Sequence, residues 1–456
     1  MVRDLTQGKP FSVILRFCLP LMAGNMFQQF YNLVDSVIVG RFVGKEALSA
    51  IGCVGSLNFL VVTSVIGLCT GFAIPVAQCF GAGDYTKMRK YVANIIYVCI
   101  AVTAVITTVV YLNSENLLII LNTPEDILPD ADTYISIIFL GLPATVLYNT
   151  LASVIRSIGD SKTPLYFLVL SCVINIALDL LFVIKFSMGV KGVAIATVIA
   201  QAISGLFLLL YIKKNIHILH LCREEMGVDW SCIKKLFYAG LPMSLQFSIT
   251  AVGSVLLQSC VNELGSDVIA AVTIAGKTQL ILVLPSETIG LTLATYSGQN
   301  LGAQRLDRIK KGVNQSLIMA LVYSVIAAFI AGFLGDKISL LFIEGSETAV
   351  LGLVDKFLST CAVFYPILVL IFVYRNTLQG LGFSIPAMGA GVLELFARSI
   401  MGFAFVRSFG YTAVCFANPV AWFAADILLV PMYFIVMHKF KTNADYLKLR
   451  TAKSFE

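Results

Sequence analysis

The chain has 456 residues, 58% of them hydrophobic and only 13% charged, with a mean hydropathy of +0.88. Soluble domains carry roughly 45–50% apolar and about 25% charged residues, so this composition excludes a soluble globular protein and implies a chain that lives in a bilayer. The formal charge of +6 arises from basic residues gathered on one side of the membrane, so it does not call for a nucleic-acid partner.

Each crossing needs about 20 mostly apolar residues as helix, because unsatisfied backbone groups are intolerable in lipid. On that criterion the sequence predicts twelve helices. The first, 11–39, is too long for a cleaved signal segment and is expected to be retained. It contains NMFQQFYNLVDSVIVG from Asn25 to Gly40, although an Asp in mid-membrane costs about 3 kcal/mol. With about 100° per residue, Asn25, Gln28, Asn32 and Asp35 fall within an arc of about 80°, a polar stripe on one side of the helix. Amides alone would read equally well as interhelical glue. The carboxylate turns the reading toward an ion or proton pathway. Pro20, in the same helix, removes a backbone hydrogen bond and predicts a kink or hinge.

The second helix, 48–80, runs into QCFGAGDYTKMRK (78–90) and the third covers 91–112. The loop that follows holds Glu115, Glu125, Asp126 and Asp130 with no base. The fourth helix, 132–156, offers Tyr148 and Asn149 as cavity-lining candidates and ends in the loop RSIGDSKTP (156–164). In the fifth, 164–186, Asn175 and Asp179 are spaced i, i+4 and share a face. The sixth, 192–213, carries Thr197. A basic linker, 214–232, comes next; its His217 and His220 read as a solvated segment, not a metal site.

The seventh helix, 233–262, supplies Gln246 as a further lining candidate and has no acid before Glu263. The eighth, 268–300, contains Glu287 within LPSETIG; this residue reads as a coupling carboxylate, a partner for Lys277 or a structural acid. QNLGAQRLDRIKK (299–311) leads to the ninth helix, 313–334, and the tenth, 352–379, which includes Arg375. Glu394 and Arg398 in the eleventh, 386–407, form an i, i+4 pair and read as a structural couple. The twelfth, 411–438, holds Asp426; neither it nor Arg375 has a role legible here. The eleven cysteines never occur as CxxC and read as small buried hydrophobes.

With the N-terminus inside, the inner segments hold 22 Lys and Arg and the outer loops seven. Both termini, and the basic tail 439–456, are therefore expected to be cytoplasmic. The halves also resemble each other. QCFGAGDYTKMRK precedes QNLGAQRLDRIKK by 221 residues, and Pro20, Pro143 and Pro164 answer Pro242, Pro366 and Pro386. Six helices per half give parallel repeats. The expected fold is an all-α integral membrane protein with twelve transmembrane helices in two six-helix lobes, 1–213 and 233–438, related by a pseudo-two-fold axis along the membrane normal.

NLVDSVIVGRFVGKEALSAIG (32–52), RSIGDSKTP and the paired GAG and LGA turns resemble the multidrug and toxic compound extrusion (MATE) family over essentially the whole chain. The resemblance implies an antiporter that exports lipophilic organic cations against inward H⁺ or Na⁺ by alternating access of its lobes. It implies no cofactor beyond the coupling ion, membrane lipids as surroundings, and a monomer in the plasma (inner) membrane. Gln28 and Asp35, Asn175 and Asp179, and Thr197 match the type and spacing of the N-lobe cation site of archaeal members. Bending of the first helix at the proline matching Pro20 is linked to cation loading in the family. NorM-type members place acids in the seventh and tenth helices, which this chain lacks, so coupling is expected to rest on the N-lobe. The cargo cavity is expected among Asn32, Tyr148, Asn149, Gln246 and Glu287. The alternative is a lipid-linked oligosaccharide flippase of the same superfamily; such proteins have extra helices and more basic cavities. An enzyme is disfavoured because HExxH, GxSxG and Walker-type runs are missing from the sequence.

Overall fold

A computed structural model describes residues 3–121, 123–340 and 347–442. Residues 443–456, most of the expected tail, and the side chain of Asn32 lie outside the described residues. Among the described residues no strand occurs, and the chain forms α1 Pro10–Ile38, α2 Lys45–Ala82, α3 Tyr85–Leu112, α4 Ser114–Ile120, α5 Leu128–Leu140, α6 Leu142–Ser157, α7 Lys162–Leu180 and α8 Gly189–Asn215. The second half comprises α9 Trp230–Asn262, α10 Ser266–Gly302, α11 Leu306–Ser339, α12 Thr348–Val363, α13 Tyr365–Gly380, α14 Ser384–Ile400, α15 Val406–Phe409 and α16 Tyr411–Thr442.

Among the described residues, ten spans are long and apolar enough to cross a membrane. Two further pairs, α5 with α6 and α12 with α13, are bent by 45° and 56° and make twelve if each pair is one span. These correspond to the twelve predicted crossings. The bends come from Pro143 and Pro366, each in the first turn of the second helix of its pair. There a proline lacks an N–H that the helix start does not need, while its ring prevents the preceding helix from continuing.

The residues group into two compact units: Met1–Asp4 with Leu19–Ser244 (unit 1), and Leu5–Cys18 with Leu245–Glu456 (unit 2). Within unit 1, α2 packs on α3, α5 and α6, and α8 on α5, α6 and α7. Within unit 2, α10 packs on α11, α12 and α13, and α16 on α12, α13 and α14. The same pattern thus occurs twice, with each element replaced by its counterpart from the other half. The linker 214–232 belongs to unit 1 because α3 holds it. Arg89 Nε donates to both Glu225 carboxylate oxygens at 2.9 and 2.8 Å, and the Tyr97 hydroxyl donates to the Met226 carbonyl at 2.7 Å. Asn94 Oδ1 accepts from the Asp229 N–H at 2.9 Å.

Candidate functional site

In unit 1 the polar residues of α1 meet those of α7 and α8. Asp179 is fully buried, Asn175 nearly so, and Asn175 Nδ2 donates to Thr197 Oγ1 at 3.4 Å. Thr197 Oγ1 in turn donates to the Val193 carbonyl at 3.0 Å. The Asp35 and Asp179 carboxyls face one another closely enough to interact directly, yet neither Asp179 oxygen, nor Asp35 Oδ1, makes a hydrogen bond of ordinary length. Two acids pressed together without other partners form a site where a proton or a small hard cation is needed to offset like charge. Tyr31 and Tyr134 both lie within electrostatic reach of the pair. Sequence reasoning passed over both, because an aromatic in a membrane helix carries no signal until its neighbours are known.

The local fold marks this place as well. Four residues after Asp35 and two after Asp179, the α-helices turn into five-residue π-helical stretches, Val39–Val43 and Leu181–Lys185. These two stretches touch. Such π-bulges concentrate at functional sites. An apolar cluster of Ile38, Val39, Ala47, Val183, Val190 and Val193 surrounds them.

A cavity of about 760 Å³, including its mouth, opens in unit 1 beside the acid pair. Pro20, Gln28, Tyr148, Asn149, Asn175 and Thr197, all singled out from sequence, line it. Asp35 and Asp179 do not; among the described residues the one charged residue on its wall is Arg156. Tyr148 donates to the Pro164 carbonyl at 2.9 Å and Asn149 Nδ2 to the Thr145 carbonyl at 2.8 Å. Gln246 and Glu287 are elsewhere, in unit 2. Gln246 is buried and accepts from Gln379 Nε2 at 2.6 Å.

Unit 2 has its own buried charges. Glu394 Oε1 accepts from Arg375 Nη2, and Glu394 Oε2 accepts from Arg398 Nη2 at 3.3 Å. The expected Glu394–Arg398 couple is therefore a triad, completed by an arginine from a different helix. Asp426 is buried near Arg375 with both oxygens lacking a hydrogen-bond partner. Glu287 also lies within electrostatic reach of Arg375. Among the described residues, no group of three or more His, Cys, Asp or Glu could hold a metal ion. All eleven cysteines are free, and all but Cys53 and Cys222 are buried.

The MatE family model matches residues 20–181 and again 242–403, so the two halves each contain one copy of the same pattern. A probable multidrug resistance protein of Bacillus subtilis, YpnP, is 28% identical over 407 residues, covering 89% of this chain and 90% of that protein. A second, YoeA of the same organism, is 26% identical and covers 73% of each chain. The fold is similar to an outward-facing multidrug resistance MATE family transporter of the MOP superfamily, with a TM-score of 0.89, 20% identity, and 96% and 98% of the two chains covered.

Proposed function

Because the chain belongs to the MatE family of membrane transporters, whose members are not enzymes and use no cofactor, we propose that it is a multidrug exporter. It expels lipophilic organic cations in exchange for inward H⁺ or Na⁺, works as a monomer in the plasma membrane and keeps both termini in the cytoplasm. The observation that carries this reading is the close Asp35–Asp179 pair, with Asp179 fully buried, beside Asn175 and Thr197. Gln28, which lines the same cavity as Asn175 and Thr197, would complete the coupling site.

The energetics fit exchange. Moving one charge against a negative-inside potential costs about 2.3 kcal/mol per 100 mV, and inward movement of one H⁺ or Na⁺ returns the same amount. One-for-one exchange is then electrically silent and is driven by the chemical gradient. If the acid pair serves either the coupling ion or the cation-loaded state, each ligand lowers the other's affinity by the same factor.

The test is efflux of a fluorescent cation from proteoliposomes under separately imposed pH and Na⁺ gradients. Asp35→Asn and Asp179→Asn are expected to abolish gradient-driven flux in a protein that still inserts, since removing a buried charge relieves an insertion cost. Cation binding should weaken as pH falls or Na⁺ rises, and Asp35→Asn should lose that dependence. Full transport by both mutants would overturn the assignment.

A further inference from the structure

The cavity of unit 1 raises a question that the acid pair does not answer, because the only charged residue on its wall among the described residues is a cation. Arg156 closes the last turn of α6 and lines the cavity. Its hydrogen-bonding is nearly unused: Nη2 donates to Ser153 Oγ at 2.9 Å, while a guanidinium has five N–H donors. None of the ion pairs among the described residues includes it. Asp160, four residues on, uses Oδ1 to accept from the N–H groups of Lys162 and Thr163, both at 3.0 Å, and Oδ2 to accept from the Thr163 hydroxyl at 2.7 Å. It caps the next helix. Arg156 is partly exposed and no carboxylate lines the cavity among the described residues, so an anionic group that enters it meets an uncompensated guanidinium.

We propose that Arg156 anchors an oxyanion subsite, which takes the carboxylate, phosphate or sulfonate end of an amphiphile whose apolar body lies against Pro20, Leu21, Leu165 and Leu168. A planar guanidinium meets such groups in a bidentate fork, which sets geometry as well as charge. Ser161 adds a hydroxyl on the same wall. Arg156 also repels a cationic group from its end of the cavity, so a ligand with both charges would keep its positive end away from α6. The ligand is either a soluble amphiphilic anion or the headgroup of an anionic lipid. The inference deepens the export reading by adding a class of cargo, but binding at Arg156 does not require transport.

Two xanthene dyes of opposite charge, fluorescein and rhodamine 6G, test it by fluorescence polarisation on the purified full-length protein in non-ionic detergent. Wild type is expected to bind fluorescein, and R156Q to bind it about tenfold or more weakly, with rhodamine 6G affinity unchanged or improved. R156K keeps the charge but not the fork and should hold fluorescein several-fold more weakly than wild type. Competition by phosphatidylglycerol but not phosphatidylcholine identifies a lipid headgroup as the source, and lack of competition by either identifies a soluble anion. Wild-type fluorescein affinity in whichever variant folds overturns the proposal, as does equal loss of both dyes, which marks a structural role. If ion-driven cation efflux fails while fluorescein binding still follows Arg156, the export reading falls and the subsite stands. If efflux holds and fluorescein binding ignores Arg156, the reverse is true.

Discussion

Glu394 accepts from two arginines at once, Arg375 and Arg398, inside a membrane helix. Breaking a buried pair by removing one partner usually costs about 3–5 kcal/mol, because the surviving charge is left uncompensated. Glu394→Gln would strand two such charges. The thermal unfolding temperature in detergent should therefore fall sharply, whereas Asp426→Asn alone should change it little. Arg375 Nε and both Asp426 oxygens lack partners and lie near one another, so Asp426 is a second acceptor available to Arg375. The double mutant should then lose more than the sum of the single losses, by an interaction energy of about 0.5–3 kcal/mol. Strict additivity in that double-mutant cycle would show that Arg375 does not turn to Asp426. The Glu394–Arg398 half of this cluster is legible as an i, i+4 spacing; Arg375 is not, since it comes from α13.

The helices of unit 2 are drawn together by small residues. A Cβ on Gly380 of α13 would stand 2.3 Å from the Ala294 carbonyl oxygen of α10, and one on Gly290 of α10 would stand 2.6 Å from the Phe372 carbonyl oxygen. Close backbone approach through small residues is how helices associate where lipid removes the hydrophobic drive. Both obstacles are backbone atoms, which cannot swing aside. Gly380→Ala should destabilise the protein by about 1–3 kcal/mol or more, read as a lower melting temperature. Gly352 on α12 has nothing within 4 Å of its Cβ position, so Gly352→Ala serves as the control and should be neutral or slightly stabilising. Equal melting temperatures for the two variants would exclude this packing account. The sequence predicts both helices, but a lone Gly in an apolar run does not say which neighbour it admits.

Across the molecule, both repeats hold the segment that leads into a first helix. In unit 2, Arg308 donates to the carbonyls of Gly8 at 2.7 Å and of Leu5 and Gln7 at 3.2 Å, and the Leu5 N–H donates to Gln299 Oε1 at 2.9 Å. In unit 1, Arg89 and Asn94 hold the linker that leads into α9. The helices α1 and α9 then pass from one unit to the other at Cys18–Leu19 and Ser244–Leu245, beside the repeat-related Pro20 and Pro242. Pro20 sits inside an unbroken helix, where it frees the Arg16 carbonyl and weakens resistance to bending. Pro20→Ala should slow turnover more than it weakens cargo binding, measured as flux against affinity; a proportionate fall in both would remove the hinge.

The linker clip adds a pH dependence. The bond from Arg89, reinforced by the Cys222 N–H, outweighs burial and holds the Glu225 carboxyl below its ordinary value of 4.5. A carboxyl depressed on folding gives stability that is present above its unfolded value and is lost as pH falls through its folded value. The linker amides should accordingly stay protected from hydrogen exchange at neutral pH. After correction for intrinsic rates, they should open as the pH drops through and below the ordinary carboxylate range. Glu225→Gln should be open and insensitive to pH over that window.

Composition and hydrophobic run length determined the membrane class and the twelve crossings, because lipid imposes one helix length and one way to satisfy the backbone, and the matching motifs and prolines of the two halves determined the parallel repeat. The spacing of Asn175 and Asp179, and the stripe ending in Asp35, also determined which faces were polar. Tertiary structure alone decided what those faces meet. It set Asp35 against Asp179 with Tyr31 and Tyr134 close by, put Arg156 on the cavity wall, and gave Glu394 a second arginine. It also assigned Gln246 and Glu287 to unit 2, and neither lines that cavity. Helical periodicity fixes which residues share a face, a relation within about one turn of chain. Contacts between helices depend on which faces oppose each other and at what height, and that information belongs to no single segment.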